Sequence, residues 1–312
     1  MSDTEPAGLV DPATGHPTKI MRAESRWPGP DPHRAETLLA FSDARYRDAF
    51  WPGRRYEDMC DRIALRAMLP PSGQRLVDIG AGYGRLADEY AGYGEVVLVD
   101  ISEALLNAAR QRLAADPRYR IVAADAFSLP FPDASMDAAV CVRVAHHFQD
   151  PRPAIAEFAR VLRPGGVLVF EFRNKRDIKA IAAYALRRQA WSPAARGSRR
   201  YEGIHLVSTI PIGRAPQRAD DPTGHAEPGA VWSAPVSFVH APADVTTWLR
   251  AAGLQPSATR SVGIFRLPLV TGHVPAWLLI RLERLLQVAL APVTAGPSLF
   301  VRAVRRSSGD SR

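Results

Sequence analysis

Through the first half of the chain, short apolar runs alternate with longer stretches of helical periodicity. Residues 75–79, 95–99, 119–123, 137–142 and 166–172 read as buried strands, and residues 84–90, 102–114 and 153–162 as the helices between them. A helix at 56–68 precedes the first strand; Met59, Ile63, Leu65 and Met68 form its apolar stripe and Pro70-Pro71 stops it. Arg163-Pro164-Gly165-Gly166 turns the chain into the fifth strand. This alternation predicts an α/β fold with a parallel, doubly wound sheet and right-handed crossovers. Ligands in such sheets bind beyond the carboxyl ends of the strands.

The second half is less regular. Residues 173–240 are too many for a plain connection and carry helical pattern at 178–191, so they read as a helical insert or lid. A helix at 244–252 ends at Gly253, and strands follow near 257–265 and 298–304. Between those strands, residues 276–290 space Arg281, Arg284 and Gln287 helically, while Leu278, Leu279, Leu282, Leu285 and Leu286 cover the remainder. The simplest reading is an amphipathic helix packed on the sheet; an apolar tunnel wall or a membrane-surface helix are the alternatives. Residues 1–35 are rich in Pro, Gly, Asp and Thr without period, and are expected to be disordered. One domain over 36–312 results, with core 56–172, insert 173–240, and C-terminal helix and strands at 241–306.

Composition narrows the class. Apolar content of 46% is that of a folded domain, and no window holds the ~20 uncharged apolar residues of a membrane span. The N-terminus lacks a basic segment followed by an apolar run, so the expected location is cytoplasmic. Cys60 and Cys141 stand alone, which suits core residues and not a disulfide framework or zinc site; no metal is expected. The net charge of +8 comes almost wholly from arginine, with lysine only at Lys19, Lys175 and Lys179. Much of it falls in the insert, at Arg173, Lys175, Arg176, Lys179, Arg187, Arg188, Arg196, Arg199 and Arg200. A phosphate-bearing acceptor or RNA would suit that charge, and a solvated basic face explains it more simply.

Candidate chemistry centres on the first three strands. The run Val77-Asp78-Ile79-Gly80-Ala81-Gly82-Tyr83-Gly84-Arg85 puts glycines directly after a strand, where the chain turns sharply and a ligand can approach its backbone. Asp100, about twenty residues beyond at the end of the second strand, is placed to accept hydrogen bonds from two ribose hydroxyls. Asp125, in Ala123-Ala124-Asp125-Ala126 after the third strand, would accept from an adenine amine, while the Ala126 amide would donate to a ring nitrogen. These parts describe a nucleoside pocket. A dinucleotide fingerprint fits less well, because the third glycine follows after one residue instead of two and an acid precedes the first.

With Asp78-Ile79-Gly80-Ala81-Gly82-Tyr83-Gly84, Val97-Leu98-Val99-Asp100-Ile101-Ser102, Ala124-Asp125-Ala126, Leu129-Pro130-Phe131 before Asp137, and Leu162-Arg163-Pro164-Gly165-Gly166, the chain resembles the class I S-adenosylmethionine-dependent methyltransferases. The likeness is to their small-molecule group, which includes quinone-biosynthesis enzymes, and it covers roughly residues 56–172. It implies a Rossmann-like seven-stranded sheet, mostly parallel with one antiparallel strand that the closing strands near Ser257 and Ser298 would complete. It also implies that Asp78 with Gly80, Ala81, Gly82 and Gly84 holds the methionine portion of S-adenosylmethionine, Asp100 the ribose, and Asp125 with Ala126 the adenine. Ile101 and Arg143 join the cofactor-binding set, and S-adenosylhomocysteine is the expected product.

Methyl transfer from a sulfonium is an in-line displacement with a good leaving group, so alignment in a dry pocket supplies much of the rate and a base is optional. If the acceptor is a hydroxyl, phenol or acidic carbon, His146 or His147 just past the fourth strand would serve, and His147 is the candidate catalytic base; a packed loop histidine is the competing reading. Arg143 would touch the methionine portion or an acidic acceptor, or simply close an ion pair. Tyr46, Trp51, Arg54 and Tyr56 suit an aromatic flap over the cofactor or a satellite apolar cluster. An Asn/Asp-Pro-Pro-Tyr/Phe motif and a Pro-Cys nucleophile are both missing, which weighs against amine and cytosine-carbon methylation of nucleic acid. The expected function is methyl transfer to a small organic acceptor, with the insert and C-terminal helix walling its pocket. An RNA or protein methyltransferase and a catalytically silent cofactor-binding partner are the alternatives.

Overall fold

The computed structural model describes residues 41, 51, 53–177, 181, 199–200, 237–266 and 268–307. The expected N-terminal disorder, most of the insert, and Tyr46 lie outside the described residues. Helix α1 (Arg55–Met68) buries Cys60, Asp61, Ala64, Leu65 and Met68, one face of a 3.6-residue repeat. Glu57 and Asp58 in its first turn and Arg66 in its last complement the helix dipole, and Leu69 turns extended ahead of Pro70.

Strands β1 (Gly73–Ile79), β2 (Tyr93–Asp100), β3 (Tyr119–Ala123), β4 (Met136–Cys141) and β5 (Leu162–Arg173) pair in parallel. Helices α2 (Glu103–Leu113) and α3 (Arg152–Val161) cross between them; Ser102 caps α2 by accepting the Leu105 amide at 3.2 Å. Beyond them lie α4 (Pro242–Ala251), β6 (Leu254–Val262), the short α5 (Pro268–Thr271), α6 (Ala276–Ala289) and β7 (Ser298–Arg305). The spatial order is β3-β2-β1-β4-β5-β7-β6, with β7 antiparallel to both neighbours. The seven-stranded, mostly parallel sheet expected from the sequence is therefore present, and the order reverses between β1 and β4.

Each central strand feeds two cores, because successive side chains point to opposite faces. Val77, Ile79, Val97 and Val99 join one apolar cluster with Phe158 and Phe170. Leu76, Val96, Leu98 and Val140 join the other with Leu65 and Phe300. Cys60 and Cys141 are buried free thiols within these clusters.

Two expectations need correction. The helix expected at 84–90 is a single 3-10 turn, Ala87–Tyr90. Gly84 sits at φ +73°, outside helical space, and the short span before Tyr93 leaves room for little more. The strand expected at 257–265 starts earlier and stops at Val262, because Gly263 at φ +80° turns the chain away.

The long segment between β5 and α4 leaves and returns at one place. Asn174 bridges His240; the Lys175 amide donates to the His240 carbonyl at 3.0 Å, and the His240 amide to that of Arg173 at 3.0 Å. Within it Arg199–Arg200 pairs antiparallel with Phe238–Val239.

Candidate active site

The ends of β1 to β4 open onto a cleft of about 1080 Å³, mouth included. Its floor is the glycine turn after β1. Gly80 is at φ +73° and Gly82 at φ +55°, backbone that L side chains rarely adopt. The Gly80 and Ala81 amides both donate to the Val99 carbonyl, at 2.7 and 3.0 Å, which pins the turn to β2.

Asp100 ends β2 and ties the turn from the other side. Its Oδ2 accepts the Gly82 amide at 2.8 Å and its Oδ1 the Ser102 amide at 2.8 Å. Each carboxylate oxygen retains a second acceptor site. Burial raises its pKa, opposed by the backbone amides of Ser102, Gly82 and Ile101. Asp125 follows β3, where its Oδ1 accepts the Phe127 amide at 3.1 Å and a bridge to Ser128 folds the loop over the cleft. Both carboxylates line the cleft, along with Ile101, Ala126 and the edge-to-face pair Phe127 and Phe148.

Asp78 is nearly sealed at the end of β1, and its Oδ2 accepts the Tyr90 hydroxyl at 2.8 Å. Burial lifts its pKa to about 7, against the pull of Tyr90 and the Arg85 guanidinium, with Asp100 pushing the same way as burial. Asp78 is thus poised to change charge near neutrality.

Arg143 lines the cleft at φ +65°, a conformation disfavoured for a residue with a Cβ. Its amide donates to Glu171 Oε2 at 2.8 Å, and its Nε and Nη2 donate to the fully buried Asp61 at 3.0 and 2.9 Å. Asp61 also accepts Arg85 Nη2 at 3.0 Å, and Arg85 pairs with Asp58 and lies 3.9 Å over the Trp51 ring. One carboxylate on α1 therefore holds two arginines at the cleft wall. The Arg143 guanidinium forms the ion pair that was the competing reading of this residue, while its backbone shapes the loop after β4.

That loop makes the 3-10 turn Ala145–His147. His147 lines the cleft, with Phe41 edge-on at 5.4 Å. His146 is not among the lining residues; its ring is 4.0 Å from that of His147, and burial holds its pKa well below the ordinary value, with help from His147, Arg173 and Arg143. Behind the turn, His240 Nε2 donates to the Ala145 carbonyl at 3.1 Å, and burial lowers its pKa to about 4.

The cleft thus gathers Asp78, Gly80, Ala81, Gly82, Asp100, Ile101, Asp125, Ala126, Arg143 and His147. Gly84 is not among its lining residues; a Cβ there would meet Leu98 and Leu113 at 3.2 Å, so it closes the turn against α2. Of the expected flap, Trp51 lines the cleft, whereas Tyr56 is buried in the core with its hydroxyl on Glu283 at 2.6 Å. Sequence reasoning passed over Phe41, Asp61, Tyr90 and Glu171.

Residues 77–170 match a family described as a methyltransferase domain. Over that segment, about a third of the chain, the protein is similar to methyltransferases. It is 37% identical over 142 residues to the demethylmenaquinone methyltransferase of Clavibacter sepedonicus, covering 45% of this chain and 52% of that one. It is 42% identical over 116 residues to the 27-O-demethylrifamycin SV methyltransferase of Amycolatopsis mediterranei, covering 35% and 42%. The chain spans about half the length of the curated relatives it matches. Among solved structures, an S-adenosylmethionine dependent methyltransferase from Mesorhizobium loti shares the fold, with a TM-score of 0.50, 22% identity, and coverage of 79% and 98%. The cleft itself is suited to a nucleoside. Two carboxylates stand at the ends of adjacent strands, and at Gly82 a Cβ would come no closer than 3.7 Å to a neighbour, leaving backbone accessible without crowding.

Proposed function

We propose that this protein transfers the methyl group of S-adenosylmethionine to a small, largely apolar organic acceptor. The observation that carries the reading is the single cleft in which the glycine turn, Asp100 and Asp125 converge at the sheet's topological switch. In this reading Asp100 takes the ribose hydroxyls, Asp125 and the Ala126 amide take the adenine, and Asp78 with the Gly80–Gly82 turn takes the methionine end. Arg143 contributes through its backbone and its clamp on Asp61. Bound S-adenosylmethionine supplies an electrophilic methyl group on a sulfonium.

The chain's own part is to align and to exclude water. Phe41, Trp51, Phe127 and Phe148 give the cleft apolar walls, which suits an acceptor such as a quinol or a polyketide hydroxyl, in keeping with the relatives' names. His147 faces the same cleft and removes the acceptor's proton as the methyl bond forms; His146, held neutral outside the lining, does not. The segment 173–240 is read as an insert in one domain, which the adjacent exit and return at Arg173 and His240 support. The enzyme works in the cytoplasm in this reading.

Calorimetric titration with S-adenosylmethionine, S-adenosylhomocysteine and NAD tests the site without knowledge of the acceptor. Saturable binding of the first two and not of NAD is expected; a folded chain that binds neither sulfur nucleoside overturns the proposal. With an acceptor in hand, His147→Ala is expected to slow turnover about 10²- to 10⁴-fold while cofactor affinity holds. Equal turnover would leave alignment as the whole mechanism.

A further inference from the structure

Helix α6 buries polar residues and exposes apolar ones. Its inward face carries Leu279 together with Glu283 and Gln287, the last two fully buried. Glu283 accepts the Tyr56 hydroxyl at 2.6 Å and the Gly263 amide at 2.7 Å, and Gln287 donates to the Cys60 carbonyl at 3.0 Å. The polar residues thus lock the helix to α1 and to the end of β6, with Leu279 in the core and Ile280 packed against it, while much of its remaining apolar surface faces outward. Trp277 is 60% exposed, Leu285 70% and Val288 55%, with Leu278, Leu282 and, just beyond the helix, Val293 also exposed. From Trp277 to Val288 the exposed apolar residues run about 16 Å along the helix. Such a contiguous apolar face on a surface marks an interaction site.

Its charge says what covers it. Arg281 and Arg284 are exposed on the helix, Arg281 lying 5.4 Å from the Trp277 ring. The helix has one acid, Glu283, and it is buried; residues 290–297 add none. An apolar stripe with a tryptophan and cations beside it, on a helix free of exposed acids, matches the surface of an anionic bilayer. A symmetric second copy fits poorly, because the contact would gather Arg281 and Arg284 from both copies while neither helix offers an exposed acid to pair with them. Among the described residues no helix is long and apolar enough to span a membrane, so the mode is lying on the surface.

We propose that α6 docks the protein on anionic phospholipid membranes, with Trp277, Leu282, Leu285 and Val288 in the acyl boundary and Arg281 and Arg284 at the headgroups. The residues involved are separate from the cleft, so this stands or falls apart from the methyltransferase reading.

Flotation of the full chain with vesicles tests it, using phosphatidylcholine alone or mixed equally with phosphatidylglycerol. Binding to the mixed vesicles, weakened by salt, is expected. Trp277→Ser with Leu285→Ser, and separately Arg281→Gln with Arg284→Gln, are expected to lower that binding about tenfold or more. Circular dichroism and urea unfolding of each variant check that the fold persists. The proposal is overturned if the wild type does not float with anionic vesicles, or if both folded variants float as well as it does. It is also overturned if the chain elutes as a dimer that Leu285→Ser converts to monomer, which would assign the stripe to a second copy.

Discussion

Asp100 serves the fold and, in the proposed reading, the ligand as well. It fastens the Gly82 and Ser102 amides and keeps acceptor capacity for a ligand hydroxyl. Asp100→Ala is expected to weaken S-adenosylmethionine binding by about 1–3 kcal/mol through loss of charge-assisted hydrogen bonds, measured by calorimetry; unchanged affinity in a folded variant refutes the ribose role. Asp78 adds a pH dependence. With its pKa lifted to about 7, the free protein is largely protonated there in mild acid. A ligand ammonium favours the carboxylate, so binding must release that proton, and affinity should rise about tenfold per pH unit up to about 7 and then level. Asp78→Asn should bind more weakly with no such slope. Identical slopes in the two proteins would show that Asp78 does not meet the charged end of the cofactor.

At the scale of elements, the glycine turn depends on what the β4 loop brings against it. A Cβ on Gly80 would stand 2.1 Å from Val144 Cγ2, and the φ of +73° adds its own cost. Gly80→Ala is therefore expected to lose about 2–4 kcal/mol in denaturant unfolding, the sum of left-handed strain and overpacking. A loss below ~0.5 kcal/mol, typical of a neutral surface change, would mean the two loops part easily. This junction marks the limit of what the sequence displayed. The strands and most helices were legible because two-sided burial writes itself as continuous apolar runs, as in β1 and β2, and the partly buried edge strand β3 falls at residues 119–123 as read. The motif residues were legible because glycines after a strand and an acid after the next have few structural substitutes. The turn at 84–90 was misread because apolar spacing there is helical while Gly84 forbids a helix. Asp61 did leave a signal: an acid three, four and seven residues before Ala64, Leu65 and Met68 occupies the buried stripe of α1, where a charge needs partners. Its partners Arg85 and Arg143 lie 24 and 82 residues away, and nothing in local pattern links them. The outward stripe of α6 was hidden for the opposite reason. An amphipathic period gives the faces of a helix but not which face looks in, and there tertiary hydrogen bonds to Glu283 and Gln287 decided it.

For the molecule as a whole, the segment between β5 and α4 is fastened where it returns, through His240, to the turn that carries His147. The ring is fully buried, and its pKa is lowered from 6.5 to about 4. The sign follows from linkage. Below 6.5 the unfolded chain takes up a proton that the folded one refuses until about 4, so stability is lost as pH falls through that window. The loss amounts to at most about 3 kcal/mol. Asp78 works the other way: its folded pKa of about 7 lies above the ordinary 3.8, so its contribution declines as pH rises between those values. The two partly cancel in the wild type, and the net curve alone identifies neither. The difference between proteins does. His240→Asn removes the titration while leaving an amide donor within reach of the Ala145 carbonyl. Urea midpoints for both proteins at pH 7.5 and pH 5 are expected to draw together in acid, because the wild type alone carries the His240 penalty. Midpoints that keep a constant separation would mean the return strand opens to admit the proton without unfolding. In that case hydrogen exchange at Ala145 and His147 should quicken at pH 5, and acid would loosen the turn that carries His147 while the sheet stays intact.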